Sequence, residues 1–147
     1  DIVQTRRIKE NELKRKIEKQ LPSHNLLQQK KENLTGLHTS DIEKLRMAEK
    51  YIKDHLAEPL PTLKKIAALC GTNEFKLKRG FKELYGLTAF QYQKRERLQR
   101  AHVLLEHSQL KVMNIAKMIG FKKGNHLARE FRKRYGYSPT ELRMLSK

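Results

Sequence analysis

The stretch Lys111–Arg143, KVMNIAKMIGFKKGNHLAREFRKRYGYSPTELR, reads as a short helix, a tight turn, a basic helix, a second turn and a capped helix. Ile115, Ala116 and Ile119 form the inner face of the first helix, and Gly120 closes it. Asn125 is the expected start of the second helix, which turns Leu127, Phe131 and Tyr135 inward and Asn125, His126, Arg129, Arg132 and Lys133 outward. Ser138-Pro-Thr-Glu141 is a capping box with proline at the first helical position, so a last helix runs from Pro139 to about Leu145. Two short helices around a glycine turn, the second displaying basic residues, make the pattern of a helix-turn-helix.

An earlier copy of this pattern lies upstream. Ile66, Ala67 and Gly71 match Ile115, Ala116 and Gly120 at an offset of 49, and Leu77, Arg79, Phe81, Tyr85 and Gly86 match Leu127, Arg129, Phe131, Tyr135 and Gly136 at an offset of 50. These identities fall on core, turn and one exposed arginine, which tandem helix-turn-helix units explain most economically. Thr62 caps the first helix of this copy and Gly71 ends it. Asn73 opens the next, which runs to Tyr85 with Leu77, Phe81 and Leu84 buried and Phe75, Lys78, Arg79 and Lys82 on the other face.

Between the units, at about 62–85 and 111–135, a linking helix is announced by the capping box Thr88-Ala-Phe-Gln91 and runs to about His107. Phe90, Leu98, Ala101 and Leu105 are its apolar side, with Lys94, Arg95, Arg97 and Arg100 along the rest. Roughly 20 residues at 1.5 Å each span about 30 Å, close to the ~34 Å between successive major-groove faces on one side of a duplex. Upstream, Ser40-Asp-Ile-Glu43 caps a core helix from about Asp41 to Ala57, stopped by Pro59 and Pro61. Residues 40–147 are therefore expected to form an all-α domain of seven helices. Residues 1–39 read as a helical interdomain segment or a solvated linker, with Ile8, Leu13, Ile17 and Leu21 as sparse apolar positions.

Charge narrows the function. Thirty-three Lys and Arg against 16 Asp and Glu give the 147 residues a formal charge of +17, which favours a polyanionic partner over a small acidic substrate. The excess is local: ten basic and two acidic residues fall in 111–147, against six and five in 37–72. A single cysteine, Cys70, excludes an internal disulfide and fits a reducing compartment, here the cytoplasm; on the inner face of its helix it reads as a buried, inert thiol. No apolar run approaches the ~20 residues of a membrane span. His24, His38, His55, His102 and His107 lack metal-ligand spacing and read as surface residues, and no phosphate loop or acid-base pair points to an enzyme or a cofactor.

Ile115-Ala-Lys-Met-Ile-Gly-Phe121, Leu127-Ala-Arg-Glu-Phe131, Tyr135-Gly-Tyr-Ser-Pro139 and Leu142-Arg143, with the matching positions of the first unit, resemble the bacterial AraC/XylS transcription regulators over roughly 41–143. The resemblance implies a DNA-binding domain of seven helices whose base-reading positions match Phe75, Lys78 and Arg79 in the first unit and Gly124, Asn125, His126 and Arg129 in the second. It implies phosphate contacts at the helix starts near Thr62 and Val112 and at the basic residues beside the recognition helices, namely Lys76, Lys82, Lys122, Lys123, Arg132 and Lys133. Double-stranded DNA, RNA polymerase and an N-terminal effector-binding or dimerising domain outside this sequence are the implied partners. The Lys76–Phe81 wording resembles a branch that includes regulators of iron-siderophore uptake. Two departures stand out: Ala89 replaces the proline that ends the second unit, and Gly80 lies mid-helix, where it costs about 1 kcal/mol relative to alanine.

Each site residue has a plainer reading beside the functional one. Arg79 and Arg129 suit bidentate contact with guanine, or a phosphate or an intraprotein ion pair; Lys78 suits a base edge or a phosphate. Phe75 packs on a thymine methyl or covers the core edge, His126 meets a base or solvent, and Gly124 offers no side chain, whereas Asn125 is able to address adenine. Tyr85 and Tyr135 are core edges. The competing function is a module whose basic helices engage a protein such as polymerase, with DNA contact secondary.

Overall fold

The computed structural model describes residues 38–145, so the lead-in expected over 1–36 lies outside the described residues. Seven α-helices and no strands are present among them: α1 Thr39–Asp54, α2 Leu63–Cys70, α3 Glu74–Tyr85, α4 Ala89–His107, α5 Val112–Met118, α6 Gly124–Tyr135 and α7 Pro139–Leu145. They divide into two compact units, 38–97 and 98–145 among the described residues.

In the first unit, Leu45, Ala48, Ile52, Leu56, Ile66, Ala67, Cys70, Leu77, Phe81, Leu84, Tyr85, Ala89 and Tyr92 form one buried cluster. Helix α2 begins where Thr62 Oγ1 accepts the Lys65 amide at 3.2 Å, and ends at Gly71, whose φ of 74° needs no Cβ. There the Thr72 amide donates to Ala67 O and the Gly71 amide to Ala68 O, satisfying the last carbonyls. Asn73 Oδ1 accepts the Lys76 amide at 2.8 Å and opens α3.

The start of α1 differs from the expectation. His38, not Ser40, is the N-cap, and its amide donates to Asp41 Oδ2 at 3.4 Å. A carboxylate three residues in reaches back more readily than a serine already inside the first turn. The helix also stops at Asp54 rather than Ala57. His55 stacks on Tyr51 and bonds its carbonyl through Nδ1, while Arg97 from α4 donates to Leu56 O and Glu58 O and Gln93 donates to Glu58 O. The His55 amide is shared between Tyr51 O and Ile52 O, which tightens the last turn and closes the helix, and these side chains hold the segment that leads on to Pro59 and Pro61.

Gly80 has a packing reason. A Cβ there would lie 2.7 Å from Leu45 Cδ1 and 3.1 Å from Cδ2, so the glycine lets α3 close onto α1. Gly80→Ala is therefore expected to lower stability by about 1 kcal/mol in a urea titration, because overpacking costs roughly 1 to 3 kcal/mol against about 1 regained in helix propensity. A stabilised variant would mean that Leu45 swings clear.

Helix α4 starts with the expected box: Thr88 Oγ1 accepts the Gln91 amide and Gln91 Oε1 the Thr88 amide, both at 3.1 Å. Its apolar side is not the expected one at the start. Phe90 is 64% exposed, and Ala89 and Tyr92 turn inward, Tyr92 meeting Phe81 edge-on at 5.2 Å. From Leu98 onward the pattern holds, and Leu98, Ala101 and Leu105 enter the second cluster with Ile115, Ala116, Ile119, Phe121, Leu127, Phe131, Tyr135, Tyr137 and Leu142. Of the four cations read along its polar side, Arg100 is exposed whereas Lys94, Arg95 and Arg97 are partly buried.

His102 is the clearest departure in the second unit. It is buried rather than on the surface, with Nε2 2.8 Å from the Tyr137 hydroxyl and Nδ1 2.5 Å from Glu106 Oε1. Burial pushes its pKa down, against the pull of Glu106. Three carbonyls around the end of α4, those of Leu105, Ser108 and Leu110, accept from the Arg143 guanidinium of α7. Ser138 and Glu141 form the expected box at α7, with the Glu141 amide 3.1 Å from Ser138 Oγ.

The turn of the second unit repeats that of the first. The Phe121 amide donates to Ala116 O and the Gly120 amide to Lys117 O, 49 residues after their counterparts, and Gly120 sits at φ 99°. Helix α6 begins at Gly124 with Lys123 as an N-cap that has no side-chain bond, so Asn125 lies inside the first turn instead of capping it.

Candidate nucleic-acid interface

Helix α3 separates its two faces cleanly. Leu77, Gly80, Phe81, Leu84 and Tyr85 are buried, and Phe75, Lys78, Arg79, Lys82 and Glu83 line a cleft of about 460 Å³ on the other side, spaced at i, i+3, i+4, i+7 and i+8. Phe75 is 70% exposed, so it does not cover the core edge. Lys78, Arg79 and Lys82 are exposed as well. Arg79 Nε donates to Glu83 Oε1 at 2.9 Å, which leaves the two terminal nitrogens of the guanidinium directed elsewhere. Lys76 stands apart from this set, with Nζ 3.8 Å from the buried Asp41.

Helix α6 repeats the division. Leu127, Phe131 and Tyr135 are buried, and Asn125, His126, Arg129, Arg132 and Lys133 are exposed, as are Lys122 and Lys123 in the preceding turn. Because Asn125 does not cap, its amide is not tied to the helix start. The His126 ring sits edge-on to Phe121 at 5.1 Å, so part of it shields the core. Arg129 Nε is 4.0 Å from Glu130, beyond hydrogen-bonding reach, and Lys133 Nζ is 3.8 Å from the same carboxylate. Arg132 is 3.6 Å from Glu141, the residue that also closes the α7 box.

At Gly124 a Cβ would find nothing nearer than Met113 Cα at 3.7 Å, so the missing side chain opens no tight backbone approach within the protein. Thr62 and Val112 stand at the starts of α2 and α5; the Thr62 hydroxyl accepts the Lys65 amide and keeps its O–H as a donor. Within each unit the candidate base-facing residues share one helix face. Glu83 was missed by the sequence reading, although its i+4 spacing from Arg79 was visible.

Among the described residues, no group of three His, Cys, Asp or Glu side chains is able to hold a metal ion. No described helix is long and apolar enough to cross a membrane. Cys70 is buried, and burial raises its thiol pKa.

A family model of a helix-turn-helix domain matches residues 66–144. The HTH-type transcriptional activator RhaS of Klebsiella pneumoniae is 32% identical over 114 residues, which make up 78% of this chain and 41% of that protein. RhaS of Escherichia fergusonii is 38% identical over 93 residues, 63% of this chain and 33% of the relative. The chain thus spans about two fifths or less of the length of these relatives. Among solved structures, a transcriptional regulator from Chromobacterium violaceum with an AraC-type DNA-binding domain superposes with a TM-score of 0.67 at 28% identity, covering 74% of this chain and 96% of its own. The DNA-binding domain of AdpA, solved in complex with a target DNA, superposes with a TM-score of 0.63 at 27% identity, covering 69% and 91%.

Proposed function

The chain belongs to the AraC/XylS family of helix-turn-helix transcription regulators, and from that premise we propose that it binds duplex DNA sequence-specifically, one recognition helix from each unit entering a major groove. The observation that carries this reading is the repeated exposed face of α3 and α6, with an arginine at the same register in both, Arg79 and Arg129. Neither arginine has a place in either core, and both suit guanine O6 and N7. Phe75, Lys78, Asn125 and His126 complete the base-facing set; Thr62, Lys76, Lys82, Val112, Lys122, Lys123, Arg132 and Lys133 lie against phosphates. The tandem order of the two units along the chain supports adjacent grooves of one duplex as the target.

The relatives named as activators support a role in activation; contact to RNA polymerase and an accompanying effector-binding or dimerising domain belong to this proposal. A DNA target puts the working place in the bacterial cytoplasm, with no enzymatic step and no cofactor.

Selection of bound duplexes from a random pool, followed by footprinting, tests the proposal. Two protected patches one helical turn apart are expected. On the selected site Arg79→Ala or Arg129→Ala should each weaken binding by about 1 to 3 kcal/mol, confined to one base position, with little change on non-specific DNA. Equal losses on every sequence would reduce both arginines to phosphate contacts, and a pool that never converges would favour a protein partner.

A further inference from the structure

The two arginines share a register but not a setting. In α3 the residue one turn after Arg79 is Glu83, whose carboxylate takes Arg79 Nε at 2.9 Å and is itself about two-thirds shielded from solvent. At the same register of α6, 50 residues on, stands Lys133. The nearest carboxylate to Arg129 Nε is that of Glu130 at 4.0 Å, which also faces Lys133 Nζ at 3.8 Å. Arg129 therefore keeps more of its side-chain freedom than Arg79.

We infer that Glu83 is a positioning residue for base reading: by holding Nε of Arg79 it presents the two terminal nitrogens end-on, and it makes the first unit the stricter reader of the two. The inference rests on the DNA-binding role proposed above. A guanidinium has five N–H donors in one plane, and fixing one edge fixes the direction of the rest. Two parallel donors aimed at guanine O6 and N7 discriminate only while they stay in the plane of the base pair, so rotation of the side chain costs specificity more than attraction. The surrounding charges point the same way. Lys78 and Lys82 border the cleft and make its field attractive to DNA, whereas Glu83, an acid in a polyanion-binding face, opposes that field. Its value there is orientation.

The test uses the full chain, a selected duplex and the set of duplexes with each base pair replaced in turn, at fixed salt. Arg79→Ala first identifies the base pair read by Arg79. Glu83→Ala is then expected to lower discrimination at that base pair by about twofold, the range of an exposed i, i+4 pair, while affinity for non-specific DNA rises. Glu83→Gln, which keeps an acceptor oxygen, should retain most of the discrimination. Discrimination unchanged in Glu83→Ala, or reduced alike at all base pairs, overturns the inference and leaves the DNA-binding reading standing. If Arg79→Ala removes no base preference, both fall. Where Glu83→Ala does not fold, Lys133→Glu decides: it should weaken binding to all sequences yet sharpen discrimination at the base pair read by Arg129, and an unsharpened profile overturns the inference.

Discussion

Phe131→Ala is expected to remove about 3 to 5 kcal/mol of folding stability, the range for deleting a buried aromatic ring. The ring is fully buried, with the rings of Tyr135 at 4.7 Å, His102 at 5.8 Å and Tyr137 at 5.9 Å around it. Its unit comprises 48 described residues, 98–145, with a cluster of twelve buried side chains. So small a core has few neighbours free to collapse into the space left behind, and whole domains are stable by only about 5 to 15 kcal/mol. The substitution also strips one wall from the His102–Tyr137 hydrogen bond, whose weight depends on exclusion of water. Urea denaturation followed by circular dichroism should show the midpoint falling sharply or the helical signal of α5 to α7 missing at zero denaturant. Phe131→Leu, which keeps much of the volume, should lose less. A loss below about 1 kcal/mol would place the centre of this core elsewhere. Phe81, its counterpart, packs on Tyr85 at 4.6 Å and Tyr92 at 5.2 Å and is expected to respond alike.

Local chemistry made most of the fold legible. Thr62, Asn73, Thr88 with Gln91, and Ser138 with Glu141 all cap as their spacing implies, because these bonds involve neighbours no more than three residues apart. Gly71 and Gly120 mark both turns for the same reason. The misread positions depend on what lies across the fold. Phe90 looks more apolar than Ala89 and Tyr92, yet the Thr88 cap fixes the phase of α4 and sends Phe90 to solvent. His102 falls on the same inward stripe as Leu98 and Leu105, and its burial follows once Tyr137 and Glu106 are at hand to bond both ring nitrogens. Gly80 is explained by Leu45, 35 residues away, which helix propensity alone does not reveal.

The candidate site divides along the same line. Exposure of Phe75, Lys78, Arg79, Asn125, His126 and Arg129 followed from helical periodicity, since the opposite faces had to be buried. Which of them touches a base does not follow, because exposure is shared by base readers, phosphate binders and solvated charges. Arg79 illustrates the point: the ion pair weighed against its base contact is present, at Glu83, and occupies one edge of the guanidinium only. The two readings are compatible.

Binding to the selected duplex should weaken by about three orders of magnitude between 50 and 200 mM salt. Six cations are proposed against phosphates: Lys76, Lys82, Lys122, Lys123, Arg132 and Lys133. Each neutralised phosphate contributes a slope of about −0.9 to log affinity against log salt, so six give about −5.4, and a fourfold change in salt then costs roughly 2,000-fold. Three of the six have carboxylates nearby, Lys76 at 3.8 Å from Asp41, Arg132 at 3.6 Å from Glu141 and Lys133 at 3.8 Å from Glu130. The three cations are each more than half exposed, and contacts of 3.6 to 3.8 Å are longer than a hydrogen bond, so the phosphate field should win all three. Were they to stay with their carboxylates, the slope would fall to about −2.7 and the loss to roughly 40-fold. The measured slope therefore counts how many cations change partner on binding. Lys122→Ala and Lys123→Ala, both exposed in the turn before α6, should each reduce it by about one without altering which sequences are preferred. A slope near zero would remove phosphate contact from the account and return the basic faces of α3 and α6 to some other partner.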